Sequence, residues 1–194
     1  MNVVEKEKVI VVNQQGQEVG FEAQDIAHAH GILHRSFGVF IVNSQGQMLI
    51  HKRAATKKYC AGLWSNACSS HPKPGEDTQE AAEKRLNDEM GISCQLHEAF
   101  PFIYNTDSEK NACDYGYAHL YIGISDSDPI PNAQEFEAFK WVTLSDLLKD
   151  VHENPALYSQ WFRLVVEGVA LYIKNFLATK AHIPINEKTQ SNSL

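Results

Sequence analysis

The feature that most constrains the fold is a short acidic segment enclosed by two glycines. Residues 76–90 lie between Gly75 and Gly91, and the segment carries six acids, among them Glu76, Glu80, Glu83, Asp88 and Glu89. Glycine favours the left-handed backbone that ends a helix, and acidic side chains suit a helix N-terminus, so we predict a helix over 76–90. Acids one turn apart repel each other within such a helix. The pattern indicates that a bound cation neutralises part of this charge; the alternative is a solvated face stabilised by an Arg85–Glu89 pair.

Hydrophobic periodicity predicts the rest of the fold. Apolar runs interrupted by Asn/Gln/Gly turns are typical of β-hairpins, and apolar spacings of three or four residues are typical of helices. The predicted elements are hairpins at 9–21 and 37–53, a short helix or loop at 22–34, strands at 94–105 and 113–125, a strand leading into a helix at 136–151, and a helix over 157–176. This order predicts an α+β protein in which a mixed β-sheet sandwich is flanked by helices (α/β/α).

The length and charge of the chain limit its organisation and its partners. A chain of 194 residues, 43% of them hydrophobic, can bury a large core, so we predict one domain over 1–182 and a polar tail at 183–194. The net charge of −7 argues against general binding to nucleic acid or anionic membranes. No apolar run reaches the roughly 20 residues of a membrane span, and the N-terminus has no targeting pattern. The four cysteines lack CxxC spacing, which favours reduced thiols and a cytoplasmic location.

The residues around the acidic helix resemble a known family. Gly75-Glu76 and the run from Asp88 to Gly91 resemble the second half of the Nudix box, in which Gly-Glu is followed by Arg-Glu and Glu-Glu-x-Gly. Lys84-Arg85 stands where the box has Arg-Glu, and this departure resembles the type I isopentenyl-diphosphate isomerases of the Nudix superfamily. "LHRSFGVFIVNSQGQMLIHKR" and "GLWSNACSSHPKPGE" carry the likeness upstream, and it extends over about residues 8–172. The resemblance implies the Nudix fold.

The resemblance also implies a divalent ion held by histidines and carboxylates. His34 and His71 stand at two of the family's ligand positions, and either His28 or His30 stands at the third. Asp114 takes the place of one family glutamate. Imidazole combined with carboxylate suits Zn²⁺ or Mn²⁺. Because the imidazoles must be neutral to bind, we expect metal loading to weaken as the pH falls.

Four residues stand at the family's catalytic positions: Ser69 for a cysteine, Gly116 for a glutamate, and Tyr104 and Trp161 for residues of the same type. The family's reaction adds a proton to one alkene carbon and removes one from another, so acid/base groups must flank the substrate. An aromatic ring can stabilise the cation-like intermediate by roughly 0.5–2 kcal/mol. A serine hydroxyl forms essentially no alkoxide without an activating base. Cys68 is a candidate substitute for the thiol, although strand alternation turns it to the opposite face unless a bulge intervenes.

The resemblance assigns four basic residues to a diphosphate: Lys52, Arg53, Lys57 and Arg85. Arginine suits this role because its fork fits phosphate oxygens, and Mg²⁺ on Glu89 would share those oxygens. The leading function is therefore metal-dependent isomerisation of isopentenyl diphosphate to dimethylallyl diphosphate in isoprenoid biosynthesis, by a monomer or homodimer acting on a small molecule. Two alternatives stay open: a Nudix pyrophosphohydrolase of a nucleoside diphosphate derivative, and a catalytically degenerate homologue that binds a diphosphate without turnover.

Overall fold

The computed structural model describes residues 7–108, 112–130 and 132–181. In chain order the elements are β1 (Lys8–Val12), β2 (Glu18–Ala23), α1 (Gln24–His30), β3 (His34–Val42), β4 (Gln47–Arg53), β5 (Trp64–Ser65), β6 (Cys68–Ser70), α2 (Thr78–Met90), β7 (Leu96–Ser108), β8 (Ala112–Ile124), β9 (Phe136–Thr143), α3 (Leu144–Glu153) and α4 (Gln160–Ala181). The order of strands and helices matches the predicted α+β arrangement. The segment at 22–34, left open as helix or loop, contains α1.

The sheet is mixed, and it opens between β3 and β4. These strands pair antiparallel at Val42 and Met48, beside their turn, and then diverge to different neighbours. β3 runs parallel to β8 over its whole length, whereas β4 runs antiparallel to β9. The short strands β5 and β6 fill the space between them, with β5 on β4 and β6 on β3. This opening allows side chains from several strands to face one cavity.

Helices cover the sheet on both faces, as predicted. On one face β3 and β4 pack against α3 and α4, and on the other they pack against α2. β3 is buried from Ser36 to Val42 because alternate side chains enter the two cores: Phe40 and Val42 point to α4, and Val39 and Ile41 point to α2. A strand covered on both faces reads as a continuous apolar run.

The acidic segment forms α2, two residues later than predicted. Asp77 caps the helix, since its side chain accepts hydrogen bonds from the backbone N–H groups of Gln79 and Glu80. Such caps stabilise a helix by about 1 kcal/mol. The predicted end is confirmed: Gly91 has φ 66°, and its N–H donates to the carbonyl of Asn87. The glycines therefore bound the helix, with the aspartate setting its first turn.

The last helix begins at Gln160 rather than at residue 157. Pro155–Leu157 form a single 3₁₀ turn, and Leu157 is exposed instead of continuing the apolar stripe. Ser159 Oγ accepts a hydrogen bond from the Phe162 N–H and so opens α4. Among the described helices, none is long and apolar enough to cross a membrane. The tail predicted at 183–194 lies outside the described residues, so the domain boundary stays a prediction.

Candidate functional site

Four side chains from separate parts of the chain converge on one point. We call them the histidine cluster: His28, His34, His71 and Asp114. Their potential ligand atoms all lie within 4.8 Å of one another. The three imidazole ring centroids are separated by 4.7 to 5.4 Å. Residues that span 86 positions of the sequence, from 28 to 114, thus form one compact set of nitrogen and oxygen donors.

The fold selects His28 and not His30. Helix α1 ends at Gly31, whose left-handed backbone (φ 59°) lets its N–H donate to the carbonyl of Ala27. In this short helix His28 is buried, with 7% of its surface exposed, whereas His30 is exposed to solvent. The structure therefore places His28 in the cluster and leaves His30 outside it.

Strand pairing brings the other three members together. His34 is the first residue of β3, and the parallel register sets it beside Gly116 of β8. Asp114 is two residues earlier on β8, so it lies on the same face as residue 116. His71 follows β6, which pairs antiparallel with β3 through Phe37 and Ser70. The pairing of β3 with β6 and β8 therefore positions these three side chains.

Three distances within the cluster lie close to those between the ligands of a tetrahedral metal ion. The Nε2 atoms of His34 and His71 are 3.0 Å apart, and Asp114 Oδ1 lies 3.4 Å from His34 Nε2 and 3.9 Å from His28 Nε2. Ligands about 2.0–2.1 Å from a tetrahedral ion lie about 3.4 Å from one another. His34 Nδ1 contacts the Ile32 carbonyl at 2.7 Å, so its other nitrogen can carry a lone pair toward the centre.

Two buried atoms of the cluster lack a hydrogen-bond partner within the described part of the chain: His28 Nε2 and Asp114 Oδ1. A buried polar atom without a hydrogen-bond partner lowers the stability of the fold, so two such atoms in one cluster indicate a place for a ligand. Burial lowers the pKa of His28, and burial together with His34 lowers the pKa of His71 to about 3. Burial opposes the charge of Asp114, but the three histidines hold its pKa below the usual value. Neutral imidazoles beside an ionised carboxylate are the protonation states that metal binding requires.

An aromatic wall stands beside the histidine cluster. The Tyr104 hydroxyl donates to Asp114 Oδ2 at 3.0 Å, and the Tyr104 and Trp161 ring centroids are 4.5 Å apart. Trp161 Nε1 donates to Asn66 Oδ1 at 3.1 Å. Gly38 makes room for this wall, since a Cβ atom there would lie 2.8 Å from the Trp161 ring. The two aromatic residues predicted from the family resemblance therefore form one surface.

Ser69 and Cys68 face opposite sides of β6, and the structure corrects the role considered for Cys68. Ser69 lines the cavity and accepts a hydrogen bond from Asn66 Nδ2 at 2.9 Å. Cys68 is 1% exposed and packs in the core against α2. The register of β6 against β3 contains no bulge that would turn Cys68 to the cavity. Burial, chiefly, raises the pKa of the Cys68 thiol well above its usual range.

A cavity of about 230 Å³ connects these groups. Its lining includes His28, His71, Asp114, Ser69, Trp161 and Arg53. Arg53 Nε donates to the carbonyl of Tyr59, which also lines the cavity. A second cavity of about 170 Å³ shares His71 and contains Arg85. The two cavities therefore meet at His71, a member of the histidine cluster that lines both of them.

The remaining predicted cations already contact carboxylates. We call Lys52, Lys57 and Arg85 the basic cluster. Lys57 forms a short ion pair with Glu135, and Arg85 forms one with Glu89. Arg85 Nη2 also lies 3.8 Å from Glu135 Oε1, and Lys52 Nζ lies 3.4 Å from Glu137 Oε2. Glu89 is buried, which raises its pKa, although Arg85 opposes that shift. The basic cluster is thus a salt-bridge network instead of an open anion site.

Sequence reasoning missed Glu135 and Glu137. They flank the start of β9, which pairs antiparallel with the basic end of β4 and so carries both acids to the basic cluster. Both β4 and β9 were predicted as strands, and the opposite charges at their ends could have indicated that they pair. Their pairing could not be read from the chain, because it joins residues more than 80 positions apart.

Comparisons with known proteins agree with this geometry. The NUDIX domain family matches residues 32–162. Isopentenyl-diphosphate Delta-isomerase 1 of Aromatoleum aromaticum is 42% identical over 164 residues, which cover 84% of this chain and 93% of the relative. The isopentenyl-diphosphate Delta-isomerase of Halorhodospira halophila is 40% identical over 83% of this chain and 94% of its own.

Solved structures support the fold. A crystal structure of a Deinococcus radiodurans protein aligns with a TM-score of 0.67 and 23% identity, covering 82% of this chain and 97% of that one. The MutT protein of Methanosarcina mazei aligns with a TM-score of 0.56 and 19% identity, covering 76% of this chain and 95% of that one. The family match and the sequence relatives show that the chain belongs to the Nudix superfamily and, within it, to the isopentenyl-diphosphate Delta-isomerase family.

Proposed function

We propose that this protein isomerises isopentenyl diphosphate to dimethylallyl diphosphate. The observation that carries the proposal is the histidine cluster lying beside the Tyr104–Trp161 wall of one cavity. A relative that is 42% identical is named for this reaction. The cavity of about 230 Å³ suits a small ligand whose alkene lies on the aromatic rings and whose phosphates extend toward basic groups.

The histidine cluster holds a divalent ion in this proposal. Membership in the family implies a divalent metal, and the two unpaired buried donor atoms support its placement here. We propose Zn²⁺ or Mn²⁺ at this site, because imidazole with carboxylate suits both, and Mg²⁺ together with the diphosphate beside Glu89. A bound divalent ion would supply positive charge that stabilises nearby anionic groups.

The chain's own residues divide the remaining work. Trp161 presents its ring to the cationic carbon that forms when the alkene takes up a proton, a contact worth roughly 0.5–2 kcal/mol. Ser69 lines the cavity, Tyr104 carries the hydroxyl group of the aromatic wall, and Asp114 supplies the ionised carboxylate. Burial, chiefly, raises the pKa of Tyr104 well above its usual value. Hydroxyls of this kind exchange protons reluctantly, so we expect turnover well below that of a thiol–carboxyl pair, by about 10²–10⁴-fold.

Incubation with isopentenyl diphosphate in heavy water tests the proposal directly. The protein, loaded with Mn²⁺ or Zn²⁺ and supplied with Mg²⁺, should form dimethylallyl diphosphate and incorporate solvent deuterium. Protein without added metal is the matched control and should do neither. Absence of both product and deuterium after long incubation at high protein concentration would remove the isomerase assignment.

A second function is supported by one specific observation. Gly116 supplies no carboxyl group, and Tyr104 fills the space beside it, so one proton-transferring group of the family is missing. We therefore propose diphosphate binding without turnover as the alternative. Tight binding of isopentenyl diphosphate by calorimetry, with no product and no deuterium exchange, would favour it. The oligomeric state and the cytoplasmic location stay predictions in either case.

A further inference from the structure

The Tyr104 ring fills the space that a side chain at position 116 would occupy. A Cβ atom on Gly116 would lie 2.5 Å from the Tyr104 hydroxyl oxygen and closer still to two of its ring carbons. Gly116 is not among the glycines with positive φ, so its backbone conformation would accept another residue. In this structure the tyrosine ring, and not the strand conformation, is what excludes a side chain at 116.

The ring that fills this space is tightly held. Tyr104 is 6% exposed, its hydroxyl contacts Ser36 Oγ at 3.3 Å, and its ring packs on Trp161 at a centroid distance of 4.5 Å. The backbone register sets Tyr104 of β7 directly opposite Gly116 of β8. A side chain at 116 would have to expel a buried ring from these contacts.

The position of the ring decides how Asp114 is oriented. The Tyr104 hydroxyl donates to Asp114 Oδ2 at 3.0 Å, which leaves Oδ1 directed at the imidazoles, 3.4 Å from His34 Nε2 and 3.9 Å from His28 Nε2. Oδ1 is also the buried carboxylate oxygen without a hydrogen-bond partner in the described chain. One oxygen is thus anchored by the tyrosine and the other is presented to the cluster centre.

We infer that Tyr104 is a positioning residue for metal binding, and that Gly116 admits its ring in the position that aims Asp114 at the three histidines. The inference rests on the proposed metal-binding role of the histidine cluster. Among the described residues, Asp114 is the one carboxylate in the cluster, and a fixed hydrogen bond limits the rotamers in which it would face away. Partners that orient a ligand in this way commonly change metal affinity by about 10–100-fold.

Metal titration of four variants tests the coupling without any assay of turnover. The probe is Co²⁺ alone, followed by calorimetry and by its visible absorption, which reports coordination. We compare wild type, Y104F, G116A and the double variant Y104F/G116A, with Y117F as the matched control. Tyr117 lies on the same strand as Gly116, but its ring packs at Gly16, away from the cluster. Urea unfolding of each metal-free variant separates loss of metal affinity from loss of stability.

We expect Y104F to weaken Co²⁺ binding about 10–100-fold and to alter the absorption band, because the carboxylate is no longer fixed. G116A should do the same in the wild-type background and add little in Y104F, since both changes remove one hydrogen bond. Y117F should bind like wild type. If Y104F binds with unchanged affinity and spectrum, the positioning role is wrong while the metal site stands. If wild type itself binds no Co²⁺, the metal site and this inference both fail.

Discussion

The histidine cluster and Arg85 of the basic cluster line two cavities that share His71, yet the two clusters differ in how their polar groups are paired. In the histidine cluster, donors are gathered with two buried atoms left unpaired, so the site is assembled but unsatisfied within the described chain. In the basic cluster, Lys57 and Arg85 are neutralised by Glu135 and Glu89, so every positive charge contacts a carboxylate. One region needs a ligand to be complete, and the other must rearrange or gain a cation before it can bind an anion.

This difference changes how binding of a diphosphate is understood. A cradle of free lysines and arginines would attract phosphate directly, as the sequence suggests. Here the carboxylates of Glu89 and Glu135 share Arg85, and adding Mg²⁺ would give them a second cation and release the guanidinium for phosphate oxygens. We therefore expect diphosphate binding to depend on Mg²⁺ more strongly than the count of basic residues indicates.

The largest expected effect comes from removing a histidine of the cluster. H28A should lower affinity for Zn²⁺ or Mn²⁺ by more than about 100-fold, because loss of a direct ligand exceeds the 10–100-fold effect of a supporting partner. H30A is the matched control, since it removes an exposed histidine from the same helix. Calorimetric titration measures both variants. Equal affinities would show that α1 contributes no ligand.

The second effect is a pH dependence set by burial. His71 has a pKa of about 3 in the fold against 6.5 ordinarily, and the pKa of His28 is also lowered. Metal affinity should fall less than about tenfold between pH 7.5 and 5.5, where two ordinary imidazoles would cause a roughly 100-fold loss. Because the unfolded chain binds more protons there, the free energy of unfolding of metal-free protein should fall by about 1.4 kcal/mol from His71 as the pH drops to 5.5.

Metal titrations and urea unfolding at the two pH values measure these effects. H71N should remove its own share of the pH-dependent loss of stability. A steep fall in metal affinity just below pH 6.5 would mean that burial does not keep the histidines neutral.

The third effect, which is smaller, is expected when the basic cluster loses one of its carboxylates. E135Q removes the carboxylate shared by Lys57 and Arg85, so metal-free protein should bind inorganic pyrophosphate several-fold more tightly, by about 1 kcal/mol. E137Q is the comparison variant, because Glu137 pairs with the more exposed Lys52 and should matter less. Calorimetry without Mg²⁺ measures both. Weaker binding in E135Q would instead make Glu135 part of the anion site.

The smallest effect is expected at Cys68. C68A should leave isomerase activity unchanged and cost about 1 kcal/mol of stability, since it trims a small buried side chain. S69A should lower activity, because Ser69 lines the cavity. Turnover assays and urea unfolding of C68A and S69A test these expectations. A large loss of turnover in C68A with normal stability would reinstate the thiol as a catalytic group.

The sequence predicted what local pattern controls and missed what tertiary pairing controls. The end of α2 at Gly91 followed from backbone preference, and the opposite facing of Cys68 and Ser69 followed from strand alternation. His28 could not be separated from His30, because the start of a seven-residue helix decides which one is buried. Gly116 read as a missing carboxylate, since nothing in the sequence indicates that a tyrosine ring fills its place.

The opening of the sheet between β3 and β4 has a mechanical consequence. The segment of residues 54–71 crosses that gap, with Lys57 near one end and Ser69 and His71 at the other. A ligand that immobilises one end of this segment also restrains the other end, because the short strands β5 and β6 connect them. Ion capture and phosphate capture should therefore be cooperative, each tightening the other, even though the two ligands need never touch.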